Sequence, residues 1–320
     1  MASIDHKGKI RGTAGSVVYR MYREKNIVQG KPGKIKQTKG SIRASTEFGL
    51  SSSAAAVIRR AFEPAYIHRD GEAVSRSTRQ VYRSLRNSPT GSAGQRDLHD
   101  AHLQDLVGMD FNGSSKLSEV LQISHRVTRD AEGNLEVSLG RFNPREDVRP
   151  AAGAPQKASR YRIRLMVVAF DFRQEYLEYL DIQDLDVQRT KVMEEQTIRL
   201  NAQADPGCIV MLSMSLLMYD EVAHTAEYVL LNNKGFSPCA IIAAYQSTVP
   251  SASTASPVSI SIEAYHDRYR KMREMGYEGN RLLRELEKRI GKMAIKRTSP
   301  STIRERSPLI KLGEKITFSS

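Results

Sequence analysis

"YRIRLMVVAFDF" occupies residues 161–172, and every position from Leu165 to Phe170 is apolar. A strand with one wet face alternates apolar and polar side chains, whereas a strand apolar on both faces must be covered on both. Five further runs follow between residues 160 and 247: EYLEYLDIQDLDV, EEQTIRLNAQ, CIVMLSMSLLMYD, EYVLLNN and FSPCAIIAAYQ. Polar or Gly/Pro turns separate most of them, with no helical pattern between. Closely spaced strands of this kind predict an antiparallel sandwich or barrel, with one sheet face covered by helices or a partner. Upstream, LQISHRVTRDAEGNLEVSLGRF (121–142) reads as a hairpin turning at DAEGN, and it is expected to join this domain.

Working toward the N-terminus, AVSRSTRQVYRSLRN (73–87) carries the helical period. Val74, Val81, Tyr82 and Leu85 share one face, while Arg76, Arg79, Arg83 and Arg86 share the opposite one. Four like charges in a stripe repel one another unless an anion lies along them, although a solvated helix face is the plainer reading. Residues 46–62 repeat the helical period through Leu50, Ala54, Val57, Ile58, Ala61 and Phe62, and Pro64 stops it. Short helices are expected near 95–107 and 114–121. Residues 14–29 read as a small hairpin. GKPGKIKQTKG (30–40) connects it to the first helix with four lysines and no acid.

Beyond the sheet, 247–261 is Ser/Pro-rich linker by composition. Tyr265, Tyr269, Met272, Gly276, Gly279, Leu283, Leu286, Ile290 and Met293 then recur at alternating spacings of four and three, a heptad register with glycine at two positions. A docked amphipathic helix and a coiled coil explain this equally. The tail 294–320 is basic, punctuated by Ser-Pro, and expected to be extended. The expected fold is therefore α+β: a basic hairpin and arm (1–45), a helical region (46–120), an antiparallel β-sandwich (121–247), the linker (248–261), a heptad-patterned helix or helix pair (262–293) and an extended basic tail.

Charge follows the same division. The 320 residues carry a net +13, with +8 in residues 1–50, −5 in 101–260 and +7 in 261–320. Basic ends on a mildly acidic body suit contact with nucleic acid or an acidic protein surface. The candidate anion contacts are Lys31, Lys34, Lys36, Lys39 and Arg43 in the arm, then the arginine stripe. The candidate partner-helix contacts are Tyr265, Tyr269, Met272, Leu283, Leu286, Ile290 and Met293. No apolar run is long enough to span a bilayer and no signal segment is evident, so the expected location is the cytoplasm or a virion-like particle.

The signatures of catalysis are incomplete. GKPGKIKQTKG fails the phosphate-loop pattern in both glycine registers: Ile35 or Thr38 stands where the second glycine belongs. His99 and His102 have the i,i+3 spacing of a ligand pair, but no third and fourth ligand follow at recognisable spacing. Asp181, Asp184 and Asp186 read as edge charges before they read as a cation site. Cys208 and Cys239, the only cysteines, sit in apolar runs and read as buried thiols. No metal or cofactor is expected.

GSVVY (15–19), GKPGKIKQT (30–38), STEFGLSSSAAAVIRRAF (45–62) and the runs LMVVAFDF, EEQTIRLNAQ and CIVMLSMSLLMYD resemble an uncharacterised family of Bacteroidota. The resemblance covers about half the chain and implies a basic N-terminal segment leading through a helix into a β-sandwich. It carries no activity, and the heptad pattern and basic tail lie outside it. The expected role is a non-enzymatic structural or adaptor component of a larger, phage-like or nucleoprotein assembly. The alternative is a dedicated, sequence-nonspecific nucleic-acid-binding protein, and a metal-dependent hydrolase stands third. Protein neighbours in an oligomer are the expected partners.

Overall fold

The computed structural model describes residues 2–22, 25–31, 33, 37–149, 154, 158–222, 225, 227–247 and 272–298. Lys34, Lys36, Tyr265, Tyr269, the linker 248–261 and the tail beyond 298 lie outside these residues. The chain divides into two units, Met1–Ile42 and Arg43–Ser320.

In the first unit, β1 (Ser3–Ile4), β2 (Ile10–Ala14), β3 (Val17–Tyr22) and β4 (Lys25–Gly30) form an antiparallel meander in chain order. The expected hairpin is its second half, with Val17 opposite Gly30 and Tyr22 opposite Lys25. β2 escapes a pattern search because IRGTA holds only one large apolar side chain. Gly15, at φ 59°, makes the tight reversal between β2 and β3, a conformation that a side chain disfavours.

The second unit is mixed and β-rich, with antiparallel sheets and few helices. In chain order its strands are β5 (His125–Arg129), β6 (Leu135–Leu139), β7 (Arg160–Asp171), β8 (Tyr176–Gln188), β9 (Gln196–Leu200), β10 (Ile209–Glu221), β11 (Tyr228–Leu230), β12 (Cys239–Gln246) and β13 (Met272–Glu274). The helices are α1 (Lys39–Ala61, starting in the first unit), α2 (Glu63–Tyr66), α3 (Ala73–Arg86), α4 (Leu117–Val120), α5 (Pro144–Asp147) and α6 (Gly279–Thr298). β7 and β10 form the middle of a six-stranded sheet. β8 and then β13 lie beyond β7, while β11 and β12 share the outer edge of β10. β5, β6 and β9 make a separate three-stranded sheet, so the third of the six strand-like runs leaves the large sheet for the small one.

The unbroken apolar run of β7 is explained by what covers it. Met166, Val168, Phe170 and Phe172 pack with Ala54, Val57, Ile58 and Phe62 of the α1 region on one face. Ile163, Leu165, Val167 and Ala169 pack on the other face with Val137 and Leu139 of β6 and Leu200 of β9. Residues of the small sheet thus cover one face of β7, and helices cover the other. The helical region 46–120 and the strand region therefore share one core, with no domain boundary near residue 120. An aromatic run ties the helix-side layer together. Tyr66 stacks on Phe111 at 4.9 Å, Phe62 lies between Phe111 and Phe170, and Phe170 stacks on Phe172 at 5.7 Å.

Several boundaries differ from the sequence expectation. α1 begins at Lys39, seven residues before Thr46, where Thr38 Oγ1 accepts from Ser41 N–H at 3.1 Å. The helix expected over 95–107 is instead two 3-10 turns, Leu98–Asp100 and Leu103–Leu106. Asp97 caps the first, accepting His99 N–H, and the turn ends where Ala101 adopts extended backbone (φ −71°, ψ 158°). The heptad pattern 262–293 is not one helix. Met272 opens β13, paired with Glu178, and α6 starts only at Gly279. Both heptad glycines serve the turn between them: Gly276 has φ 57°, and a Cβ on Gly279 would collide with the Tyr277 ring.

A buried histidine pins three segments together. His99, its side chain 3 % exposed, accepts the Phe172 N–H on Nε2 at 3.0 Å, so its proton sits on Nδ1 and is donated to Gly207 C=O at 3.0 Å. Asp97, beside it, holds Arg173 through two contacts of 2.7 and 3.1 Å. Replacing His99 with phenylalanine leaves the Phe172 N–H without its partner, while Gly207 C=O keeps the Gln246 Nε2 donor at 3.3 Å. Urea unfolding of His99→Phe is expected to show a loss of about 1–3 kcal/mol.

Candidate anion-binding interface on the helical face

α1 and α3 lie side by side in opposite directions. Near the end of α1, Arg59 Nη1 meets Ser77 Oγ of early α3 at 2.5 Å. Early in α1, the Phe48 ring meets Tyr82 of late α3 edge-on, with centroids 6.2 Å apart. Phe48 is 57 % exposed, an aromatic side chain off the buried stripe of its own helix. Its omission from that stripe is the one sequence signal that could have marked it as a surface feature.

The arginine stripe divides between two environments. Arg76 turns inward: Nη2 donates to Asp70 Oδ2 at 2.9 Å and to Phe111 C=O at 3.2 Å, and Nε donates to Asp110 C=O at 3.1 Å. It is a structural clamp, which corrects its assignment to an anion-binding face. Arg79, Arg83 and Arg86 lie outside this clamp, and none has an ion-pair partner among the described residues. At 1.5 Å per residue, Arg83 stands about 6 Å along the axis from Arg79, and Arg86 about 4.5 Å further. The Arg86 guanidinium lies 5.9 Å from the Tyr82 ring centre, so cation and aromatic faces adjoin. Val74, expected on the apolar face, is 48 % exposed because Ala73, Ser77, Thr78, Val81, Ser84 and Leu85 form the face that packs.

The C-terminal end of α3 is held by a buried ion pair that helical spacing does not reveal. Glu47 of α1 accepts from Arg96 Nε and Gly94 N–H, both at 2.9 Å, and Arg96 Nη1 donates to Arg86 C=O. Gly94 (φ 84°) has no room for a side chain, since a Cβ would stand 2.8 Å from Arg43 Cγ and 3.1 Å from Leu286 Cδ2. Arg43 therefore sits beside the loop that braces Arg86. Lys31 is exposed in the first unit, and Lys39 is the first residue of α1.

The candidate partner helix is occupied by its own fold. Leu286 is buried at 3 % exposure, Leu283 packs on the helix-side core, and Ile290 is partly buried. Spacing alone leaves these apolar side chains available to a neighbour, but α1 and the Gly94 loop take up the first turns of α6. Met293 lies in α6.

The other chemical candidates resolve into structural roles. His99 uses both ring nitrogens on backbone groups while His102 is exposed, so the two do not converge. Among the described residues no group of three or more His, Cys, Asp or Glu is arranged to hold a metal. Asp184 and Asp186 pair with Arg164 and Arg162 through contacts of 2.7 Å, and Asp181 accepts Asn201 N–H. Cys208 and Cys239 are buried free thiols. No described helix is long and apolar enough to cross a membrane.

Two aspartates beside Arg76 titrate in opposite directions. Burial lifts the Asp70 carboxyl, but Gly113 N–H, the Arg76 guanidinium and Glu72 N–H outweigh it and hold it below the usual range. Burial dominates at Asp110 and lifts it, with the Leu117 N–H opposing. Asp110 lies on the wall of a largely apolar cavity of about 210 Å³ that also includes Leu121, His125 and Met214.

A carboxyl raised in the folded state loses stability as pH rises past its unfolded value, and a lowered one loses stability as pH falls. Asp110→Asn keeps an acceptor for Leu117 N–H and removes the desolvated charge. Its stability relative to wild type is therefore expected to be greater at pH 7 than at pH 3, measured by urea unfolding at both values. Arg76→Ala should cost about 1–3 kcal/mol, because it removes the counter-ion of Asp70 and the donors to two carbonyls, whereas Arg79→Ala should stay within about 0.5 kcal/mol. In comparison with known proteins, no family model, no curated protein and no solved structure matches this chain.

Proposed function

We propose that this chain is a non-enzymatic adaptor in a larger assembly, and that it grips the phosphate backbone of nucleic acid along α3. The observation that carries the reading is the row of Arg79, Arg83 and Arg86, set at i, i+4 and i+7 without an acidic partner among the described residues. Uncompensated like charges on one helix face cost stability in isolation and gain from a polyanion laid along them. The Phe48–Tyr82 pair adds an aromatic surface on which an unpaired base can stack. Cations that neutralise phosphates fix position on a nucleic acid without reading its sequence.

An adaptor role accords with how the rest of the chain is built. The six-stranded sheet is a rigid, doubly covered body, and the excess positive charge lies outside it, in residues 1–50 and 261–320. Lys31 and Lys39 supply further cations on the first unit. The C-terminal helix is a weaker candidate for docking a neighbour, since Leu283 and Leu286 face its own core. Residence in the cytoplasm or a virion-like particle belongs to the same proposal.

The test is fluorescence anisotropy with a labelled single-stranded oligonucleotide of roughly 20 nucleotides and its duplex, titrated from about 50 to about 300 mM NaCl. Wild-type binding should weaken steeply with salt. The triple variant Arg79→Ala/Arg83→Ala/Arg86→Ala should lower the slope of log K against log salt by roughly 2 to 3, at about 0.7–0.9 for each phosphate no longer neutralised. An unchanged slope in the triple variant would refute the α3 interface. Absence of binding by the wild type at the lowest salt would move the reading to an acidic protein partner.

A further inference from the structure

The segment after the second 3-10 turn lies along the free edge of β12. Gly108 N–H donates to Ile241 C=O at 2.8 Å, Ile241 N–H to Met109 C=O at 3.2 Å and Phe111 N–H to Cys239 C=O at 2.9 Å. The chain then leaves for α4, and small residues stand where the two part: Gly108 on the segment and Ala240 on the strand. Between them is the largely apolar cavity of about 210 Å³ beside Asp110, walled by Val107, Leu117, Met214, Ala240 and Ile241. A Cβ on Gly108 would meet nothing within 4 Å, the mark of open space. Three backbone hydrogen bonds hold the segment to the strand, so the cavity is formed before anything enters it. Ser118 and His125 stand on its wall and are exposed, so it opens to solvent.

Asp110 brings a carboxylate to these apolar walls. Its Oδ1 accepts the Leu117 N–H at 3.0 Å, which sets the side chain against the start of α4, itself part of the wall. Its Oδ2 accepts no hydrogen bond among the described residues and is open, not sealed in the protein. No described cation forms an ion pair with it. Arg76 gives its Nε to the Asp110 C=O and its Nη2 to Asp70 Oδ2, while Lys116 pairs with Glu119 at 2.6 Å. A partly buried carboxylate among apolar side chains is costly until a donor meets it, and burial lifts the Asp110 carboxyl for that reason.

Volume and charge together define the occupant. An apolar space of about 150 Å³ already takes benzene. The 210 Å³ here therefore holds an aromatic ring with roughly two or three further heavy atoms. The walls favour an apolar body, and the open carboxylate oxygen favours a positively charged N–H donor, a contact roughly twice as strong as a neutral one. The same carboxylate repels anions. We propose that this cavity binds a small primary ammonium with an apolar body of benzyl size, its charged end on Asp110 Oδ2. α3 contributes no wall, so the site stands whether or not the arginine row binds nucleic acid.

The probe is 4-fluorobenzylamine, an ammonium at neutral pH, and 4-fluorobenzyl alcohol is its uncharged counterpart. Each is titrated against the full chain and followed by fluorine NMR. The wild type should bind the amine saturably and about tenfold tighter than the alcohol. Asp110→Asn keeps an acceptor for the Leu117 N–H. It should weaken the amine about tenfold and leave the alcohol within about twofold, which also shows that the cavity is intact. Ser118→Trp changes an exposed residue of the wall and fills the entrance. It should weaken both probes by about tenfold, with the Tm of the free protein unchanged. Absence of saturable amine binding, or equal affinity of the wild type for the two probes, overturns the proposal. So does amine affinity that is unchanged in either variant.

Discussion

β7 carries apolar side chains on both faces, and the rest of the second unit is arranged to keep both faces dry. One cover is the small sheet of β5, β6 and β9, and the other is α1 with its short companions. Fully burying side chains such as Phe170 and Val167 supplies on the order of 2 kcal/mol each, but only if neither face meets water. Ala54 and Ala55 let α1 approach the sheet closely, and the Tyr66–Phe111–Phe62–Phe170–Phe172 run fills what the alanines leave. The helices are thus a structural requirement of the central strand, and their outer surface is what remains for binding.

Covering a sheet with short helices and loops creates many buried polar groups, and the chain answers most of them locally. His99 satisfies two backbone groups from separate segments. Arg76 satisfies two carbonyls and a carboxylate, and Glu47 holds a loop amide and a guanidinium. Each brings together segments distant in sequence, so each reports tertiary structure. α3 shows the consequence most plainly: four arginines at helical spacing meet two different environments, according to whether a carbonyl-rich loop passes beneath them.

Much of the architecture is legible because it is written in local period. All six strand-like runs between 160 and 247 contain strands, the 121–142 hairpin is β5 and β6, and α1 follows its apolar stripe, whereas α3 keeps only Val81 and Leu85 of its own buried. The need for cover on both faces of β7 can be read from LMVVAF itself. Less legible are the elements with weak period: β1 and β2, the 3-10 turns after Asp97, and the strand hidden in a heptad pattern. A spacing of four and three places side chains on one face only if the backbone is helical throughout. Gly276 and Gly279 break that condition, which spacing alone cannot reveal.

By itself, the sequence determined the strand content, the doubly buried central strand, the helical stripes and the segregation of charge to the chain ends. These depend on side-chain polarity along a local repeat, which neighbours in sequence decide. Tertiary structure alone decided which sheet β9 joins, that Leu286 faces inward, and that Arg76 is a clamp while Arg79, Arg83 and Arg86 are not. Those outcomes turn on which distant segment passes within hydrogen-bonding distance of a side chain, and helical or strand period carries no record of that.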